Sequence, residues 1–239
     1  MKLLVCDFDG TYFIDEESIL INNQEVQKWR RENNLFMLSS GRSFQSLKKM
    51  CLKYNIEYDY LSCCDGSILY DKDDNIITYY SLNKDILSKF LSLKKYAKTE
   101  RIQYSYPDDY YPSYQGDNLI GCNLVIQNQD ITNKLIEKFL FLQKEYPNFD
   151  FLCYKHDEVA FFCLKNKGIN KSTTVSYLKE LLNLKEKDIY TVGDNENDYP
   201  MLKLFPSYYI GEVSEKIKKV CQKGYTQVYE IFNDINKKI

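Results

Sequence analysis

The sequence predicts an α/β fold, in which a parallel sheet covered by helices is interrupted by a smaller inserted α+β unit. Strand and helix signals alternate up to residue 81, pairs of strands separated by helices follow, and the first alternation returns after Lys167. Because strand–helix–strand alternation is typical of parallel sheets, residues 1–81 and 167–239 are expected to form one domain and residues 82–166 another.

The first part of the chain carries the alternation most clearly. Its predicted elements are strand Leu3–Phe8, helix Asn22–Asn33, strand Leu35–Ser39, helix Ser43–Tyr54 and strand Tyr58–Cys63. A hydroxyl directly before a helix satisfies its first free N–H groups, so Ser43 is expected to cap the second helix. Two further strands, Ser67–Tyr70 and Ile76–Tyr80, flank a turn at residues 71–75.

The inserted unit follows an αββαββ pattern, which predicts helices on one face of an antiparallel sheet. Its elements are helix Asp85–Lys98, strands Ile102–Tyr106 and Leu119–Gln127, helix Ile131–Glu145, and strands Phe149–Tyr154 and Val159–Leu164. An aromatic loop, Pro107–Gly116, separates the first two strands. The last two strands form a hairpin whose turn contains His156, which we interpret as an exposed residue rather than a substrate contact.

The last part of the chain returns to the first pattern. Its predicted elements are helix Asn170–Leu182, strand Asp188–Val192, helix Asn197–Leu204, strand Tyr208–Ile210, and helices Ser214–Gln222 and Val228–Asn236.

Composition narrows the function classes. A net charge of −2 over 239 residues gives no reason to expect a nucleic-acid or membrane partner, and the lysine pairs Lys218–Lys219 and Lys237–Lys238 read as solvated helix faces. No apolar run approaches the ~20 residues that span a bilayer, and the first strand leaves no room for a signal peptide. A cytoplasmic protein is expected.

The cysteine pattern also agrees with a cytoplasmic protein. The eight cysteines show no C-x-x-C spacing and the chain has one histidine, which speaks against zinc and predicts free, mostly buried thiols. The sequence carries no signal for an oligomeric state.

Two carboxylates, Asp7 and Asp9, follow the first apolar run, Leu3–Cys6, and Gly10 lets the chain turn sharply after them. Side chains two residues apart on a strand point to the same side. Two carboxylates held close together bind a cation, share a proton or divide acid and base roles.

Polar residues also stand where other predicted strands end. Ser40–Arg42 offers a hydroxyl and N–H groups to an anion, and Asp65–Gly66, Lys171 and Gly193–Asp198 follow. Because ligands of open α/β sheets lie beyond the carboxyl ends of the strands, these residues are expected to converge. Taken singly, Ser40 also reads as a helix cap, Lys171 as a surface lysine and Asp65 as a turn residue.

Together these residues predict a site for Mg²⁺ and a phosphoryl group. Asp7, Asp194 and one oxygen of Asp9 are candidate magnesium ligands, because Mg²⁺ takes few carboxylates plus waters and phosphate oxygens. Ser40 and Lys171 are candidates for holding the outer phosphate oxygens. One carboxylate is then free to attack phosphorus.

The order and spacing of these residues resemble the four motifs of the haloacid dehalogenase (HAD) superfamily. The segments that carry the resemblance are Asp7-x-Asp9-Gly10-Thr11, Ser40-Gly41-Arg42, Lys171 and Gly193-Asp194-x-x-Asn197-Asp198. The insert between the second and third motifs resembles a C2-type cap, and its αββαββ pattern is similar to the Cof-type, subclass IIB sugar-phosphate phosphatases. The resemblance implies a Rossmann-like catalytic core with a C2B-type cap.

The resemblance also implies roles. Asp7 would be the nucleophile and a Mg²⁺ ligand, and Asp9 would bind Mg²⁺ through its backbone carbonyl, protonate the leaving oxygen and then activate water. The phosphate-binding residues would be Ser40, Gly41, Lys171 and Asn197. Asp194 would complete the metal shell, with Asp198 behind it or as an alternative ligand. Arg42, Asp65 and Gly66 would be candidate substrate contacts.

The function so implied is a Mg²⁺-dependent phosphatase for small phosphorylated metabolites, sugar phosphates above all, acting through an aspartyl-phosphate. The alternatives are a phosphomutase of the phosphomannomutase type and a non-catalytic phosphosugar-binding regulator. Two positions depart from the Cof-type pattern: Asp65 stands where Asn is usual, and Glu212–Val213 stands where Asn-Ala is usual. The extra charge of Asp65 is expected to alter the preference for leaving groups.

Overall fold

The computed structural model describes residues 1–155 and 158–236, and the chain divides into two compact units. The first joins residues 1–78 to 170–239, and the second comprises residues 79–169. The predicted insert, 82–166, starts and ends three residues inside the second unit. The predicted turn residues His156 and Asp157 and the pair Lys237–Lys238 lie outside the described residues. The catalytic and cap roles of the two units stay predictions.

Thirteen strands form among the described residues, eight in the first unit and five in the second. They are β1 Leu3–Asp7, β2 Leu35–Ser39, β3 Tyr60–Cys63, β4 Ile68–Asp71, β5 Ile76–Tyr79, β6 Thr99–Ser105, β7 Tyr110–Tyr111, β8 Gly121–Gln127, β9 Phe149–Lys155, β10 Val159–Asn166, β11 Ile189–Gly193, β12 Ser207–Ile210 and β13 Lys223–Tyr225.

The described α-helices are α1 Glu16–Arg31, α2 Phe44–Lys53, α3 Leu87–Leu91, α4 Asn133–Glu145, α5 Lys171–Leu181, α6 Tyr199–Leu204, α7 Glu215–Lys218 and α8 Phe232–Asn236. Short 3₁₀ helices at 84–86, 92–96, 128–130, 186–188 and 228–231 extend or connect them. Within residues 1–155 and 158–236, no helix combines the length and the apolar character needed to cross a bilayer.

The first unit is built on one eight-stranded sheet with the order β13-β12-β11-β1-β2-β3-β4-β5. Strands β13 to β3 are parallel to their neighbours, and β4 runs antiparallel to β3. The central strand β1 is buried along its whole length. From β1 the chain proceeds to β2 on one side and later returns to β11 on the other. This reversal marks the position where open α/β sheets bind ligands.

Packing on one face of this sheet brings α5 beneath the strand ends. Leu3 and Val5 of β1 belong to the same buried cluster as Val175 and Leu178 of α5. Because alternate residues of a strand share a face, Asp7 continues the row of Leu3 and Val5 at the carboxyl end. The α/β class and the parallel sheet predicted from the sequence are confirmed.

The second unit is an antiparallel five-stranded sheet with the order β7-β6-β8-β10-β9. Alternate residues of β8, Cys122, Leu124 and Ile126, share a buried cluster with Phe90 of α3 and Phe139 of α4. The αββαββ order is present with one addition, the two-residue strand β7, which lies inside the predicted aromatic loop.

Several element boundaries differ from the prediction. Helix α1 begins at Glu16 rather than Asn22, because Asp15 caps it and exchanges hydrogen bonds with Ser18. The helix predicted from Asp85 to Lys98 is a short α-helix between two 3₁₀ turns. Strand β13 was not predicted, since its three residues contain no apolar run. None of the eight cysteines, all of which lie among the described residues, forms a disulfide bond, and six are buried, as predicted.

Candidate active site

Asp7 and Asp9 occupy different environments although they are two residues apart. Asp7 is the last residue of β1 and is 5% exposed, whereas the side chain of Asp9, beyond the strand end, is 51% exposed. A tight turn follows, in which the Gly10 N–H donates to the Phe13 carbonyl at 3.1 Å. Gly10 has φ +83°, and a Cβ there would lie 2.7 Å from Asp194 Oδ2. The turn therefore needs glycine both for its backbone angle and for the closeness of Asp194.

Lys171 is the buried cation of the site. Its ammonium donates to Asp7 Oδ1 and to Asp198 Oδ1, each at 2.5 Å, and the lysine is 1% exposed. Lys171 is the first residue of α5, whose start is fixed by Asn170: the Asn170 side chain accepts from the Ser172 N–H, and the Asn170 N–H donates to the Thr173 hydroxyl. Helix capping thus brings the lysine to the end of β1.

Asp198 fixes Lys171 to the loop that follows β11. Its carboxylate is fully buried, and Oδ2 accepts the backbone N–H groups of Asp194 and Asn195 at 3.0 and 2.9 Å. The loop after β11 closes tightly around it, since a Cβ on Gly193 would lie 2.6 Å from the Asp198 side chain. With Oδ1 on Lys171 and Oδ2 on the loop, Asp198 connects the third and fourth sequence motifs.

Asp194 completes a cluster of three carboxylates. One carboxylate oxygen from each of Asp7, Asp194 and Asp198 lies within 4.8 Å of the others. Asp194 Oδ1 also accepts from the Thr11 hydroxyl at 2.5 Å. The sequence pattern predicts no role for Thr11, and this hydrogen bond shows one, since it orients Asp194.

The electrostatics follow from three acids around one ammonium. Burial raises the pKa of Asp7 well above its usual value, and although Lys171 opposes this, Asp198 and Asp194 add to it. Burial likewise raises the pKa of Asp194, against the hydrogen bond from Thr11. For Lys171, burial alone would lower the pKa, but Asp198 and Asp7 outweigh it and the pKa is raised. Three carboxyl groups beside one ammonium offer the oxygen ligands that a divalent cation takes, and positive charge added there would lower the raised pKa values of Asp7 and Asp194.

Asp9 lies apart from this cluster. Arg42 donates from Nε and Nη2 to the two oxygens of Asp9, both at 2.7 Å, which makes a two-pronged ion pair. The hydrogen bond to Asp9 is the main reason that the pKa of Arg42 is raised. Both are predicted site residues, but no pattern in the sequence predicts that they form a pair.

Ser40 and Gly41 form the turn between β2 and α2. Ser40 is buried, its N–H donates to the Ser62 carbonyl at 2.9 Å, and its hydroxyl accepts the Arg42 N–H at 3.2 Å. The residue that caps α2 is Ser43, as expected, which leaves Ser40 outside the helix cap.

Asp65 and Gly66 lie in a strained turn after β3. Cys64, Asp65 and Gly66 have φ values of +52°, +50° and +86°. Asp65 Oδ1 accepts from the Asn197 side-chain amide at 3.1 Å, which links this turn to the loop after β11. Gly66 packs on the start of α5, because a Cβ there would lie 2.0 Å from the Asn170 carbonyl oxygen.

The first unit thus brings the predicted residues to one end of its sheet. Asp7, Lys171, Asp194 and Asp198 are in mutual reach, Asp9 and Arg42 are paired beside them, and Asn197 joins Asp65. Their individual roles stay predictions.

The sequence matches a known protein family and two curated relatives. Residues 4–118 and 158–230 match the family of haloacid dehalogenase-like hydrolases. A Buchnera aphidicola protein with a provisional phosphatase name is 26% identical over 92% of this chain and 88% of its own length. A Bacillus subtilis protein named 5-amino-6-(5-phospho-D-ribitylamino)uracil phosphatase is 21% identical over 85% of this chain and 80% of its own.

Solved structures agree on the fold. A haloacid dehalogenase-like hydrolase from Bacteroides thetaiotaomicron superposes with a TM-score of 0.79 at 16% identity, covering 98% of this chain and 99% of that one. The subclass IIB sugar phosphatase BT4131 superposes with a TM-score of 0.76 at 13% identity, covering 99% of both chains. The chain therefore belongs to the haloacid dehalogenase-like hydrolase family, as its four motifs predicted, and the phosphatase names of its relatives agree with the expected class, a phosphoric monoester hydrolase.

Proposed function

We propose that this hydrolase is a Mg²⁺-dependent phosphatase of small phosphorylated metabolites, with sugar phosphates as the preferred class, and that it acts through an aspartyl-phosphate at Asp7. One observation carries the proposal. Asp7, a buried carboxylate at the end of the central strand, is held by Lys171 and lies within 4.8 Å of two further carboxylates. The names of two similar proteins, one a sugar phosphatase and one a phosphatase of a phosphorylated ribitylamino compound, support the substrate class.

The donor set fits a divalent cation. Three carboxylates face one ammonium, and oxygen ligands suit Mg²⁺. Asp7 and Asp194 would hold the ion, with the carbonyl of Asp9. Asp198 would sit behind them, since both of its oxygens already accept hydrogen bonds from Lys171 and the loop. Bound there, the cation would supply positive charge that draws the phosphoryl oxygens toward Asp7.

The protein's own residues would then divide the reaction. An oxygen of Asp7 attacks phosphorus while the bond from phosphorus to the substrate oxygen breaks, and Asp9 gives that oxygen its proton. In the second half, Asp9 takes a proton from water as the water attacks the same phosphorus. Inorganic phosphate leaves and the Asp7 carboxylate is restored. Lys171 and Ser40 hold the outer phosphoryl oxygens throughout.

The test is phosphate release from p-nitrophenyl phosphate by the purified chain with Mg²⁺, with EDTA, and by Asp7→Asn. We expect turnover that needs Mg²⁺ and falls to background in Asp7→Asn, because the amide cannot form the acyl phosphate. Asp73→Asn, an exposed acid between β4 and β5, should behave as wild type. Equal background rates in wild type and Asp7→Asn would refute the proposal. With a sugar phosphate as substrate, isomerised product with little free phosphate would instead indicate the mutase.

A further inference from the structure

The ion pair between Asp9 and Arg42 is a fixed geometric feature of the site. Both Asp9 oxygens are engaged by one guanidinium, at 2.7 Å each. A two-pronged pair of this kind fixes the plane and direction of a carboxylate, which a single hydrogen bond does not.

Arg42 is itself held from several sides. Its Nη1 donates to the Ser46 hydroxyl at 3.0 Å, and its guanidinium carbon lies 5.4 Å from the centre of the Phe8 ring. Its backbone N–H donates to the hydroxyl of Ser40. The guanidinium is thus a fixed support, whereas Asp9 extends from the turn at Gly10 with half of its side chain exposed.

We propose that Arg42 is a positioning residue for Asp9 and that it does not contact substrate. When Asp9 carries the proton that it gives to the leaving oxygen, its other oxygen still accepts from Arg42, and once the proton has left, both oxygens accept from the guanidinium again. The inference rests on the proposed function and assigns Arg42 a different task from the substrate contact implied by family resemblance. Without the guanidinium, a half-exposed carboxylate turns freely toward solvent, so the proton donor is out of place for much of the time.

The two roles differ in how the loss of activity depends on the leaving group. A lost contact to the phosphoryl group lowers kcat/KM equally for every substrate. A misplaced proton donor lowers kcat/KM most for a substrate whose leaving group needs a proton, because kcat/KM reports only on the half of the reaction that releases that group. Phenyl phosphate and p-nitrophenyl phosphate have nearly the same shape, but p-nitrophenolate leaves far more readily without protonation. The ratio of their kcat/KM values therefore reports on proton donation by Asp9.

We expect Arg42→Ala to lower kcat/KM for phenyl phosphate about tenfold more than for p-nitrophenyl phosphate. Arg42→Lys should restore part of the ratio, since an ammonium pairs with Asp9 but cannot form the fork. Ser46→Ala should show the same preference for p-nitrophenyl phosphate, more weakly, because it removes only one support of Arg42.

The matched control is Arg30→Ala. Arg30 makes the same two-pronged contact with Asp59, at 3.0 and 2.9 Å, away from the site. Arg30→Ala should leave the ratio of kcat/KM values unchanged. An unchanged ratio in Arg42→Ala, with kcat/KM lowered equally for both substrates or not at all, would overturn the inference, while wild-type turnover leaves the proposed function standing. Absence of Mg²⁺-dependent turnover in wild type would instead reject the proposed function.

Discussion

At the scale of single residues, the site places three carboxyl groups beside one ammonium group. Lys171 contacts Asp7 and Asp198, and Asp194 lies in the same cluster. Separated buried charges are costly, so each carboxylate must be paired or hydrogen-bonded. Asp198 meets this need most completely, through Lys171 and two backbone N–H groups.

We predict that Asp198→Asn destabilises the protein strongly. The neutral side chain cannot accept from Lys171 and from the loop as the carboxylate does, so a buried ammonium loses one of its two partners. Removing one partner of a buried pair costs about 3–5 kcal/mol. Urea unfolding followed by circular dichroism measures the change. Activity should fall with it, because Lys171 is no longer fixed beside Asp7.

Asp117→Asn is the control for that measurement. Asp117 is an exposed acid paired with Lys84 on the surface of the second unit. Exposed pairs contribute little to stability, so this variant should unfold at the same urea concentration as wild type. Similar unfolding of Asp198→Asn and wild type would contradict the importance that we give to the buried pair.

At the scale of elements, the site depends on how loops of the first unit pack against helix α5. Gly66, in the turn after β3, lies directly against the carbonyl of Asn170, the residue that precedes Lys171. The turn after β3 thereby fixes the position of the helix start. The same turn reaches the loop after β11 through Asp65 and Asn197.

We predict that Gly66→Ala is more harmful than an ordinary substitution of a glycine with positive φ. Placing Ala in the left-handed region costs about 1–2 kcal/mol by itself. At position 66 the added Cβ would also lie 2.0 Å from the Asn170 carbonyl oxygen, so α5 or the turn must shift. Thermal denaturation should show a larger loss than the backbone cost alone, and phosphate release should fall because Lys171 moves.

Gly211→Ala separates the backbone cost of a positive φ from the cost of the close contact with Asn170. Gly211 has φ +67° in the same unit, and a Cβ there meets nothing within 4 Å. It should show the backbone cost without loss of activity. Equal destabilisation by the two variants would mean that the contact between Gly66 and Asn170 is relieved at no cost.

The sequence predicted which residues meet at the sheet's end but not how their side chains pair. Each strand end was readable from a local apolar run followed by polar residues. The pairs Thr11–Asp194 and Asp65–Asn197 join residues 183 and 132 positions apart, so no local pattern contains them. The start of α1 was readable, since Asp15 and Ser18 have capping spacing and Glu16 and Glu17 favour a first turn.

At the scale of the whole molecule, the reversal of strand order at β1 explains why one site collects residues from both ends of the chain. Asp7 and Ser40 come from the first 78 residues, and Lys171 and Asp194 come after residue 170. The sequence of the unit inserted between these two segments can therefore change without altering the residues of the cluster. Fold comparison agrees with this, since the structural neighbours share the architecture at 13–16% identity.

The same arrangement predicts that a divalent cation stabilises the folded chain. The three carboxylates come together only on folding, so Mg²⁺ should bind the native state and not the unfolded one, and its binding relieves their repulsion. At about 100 times its dissociation constant, a ligand of this kind adds about 2.7 kcal/mol. The midpoint temperature of thermal unfolding of the wild-type chain should therefore rise with Mg²⁺ and return to its original value with EDTA.

Two variants test where the cation binds. Asp194→Asn should lose most of the rise in midpoint temperature. Glu196→Gln should keep it, because Glu196 lies in the same loop but bonds to Ser214 and Lys216. Equal shifts in wild type and Asp194→Asn would place the bound cation elsewhere on the protein.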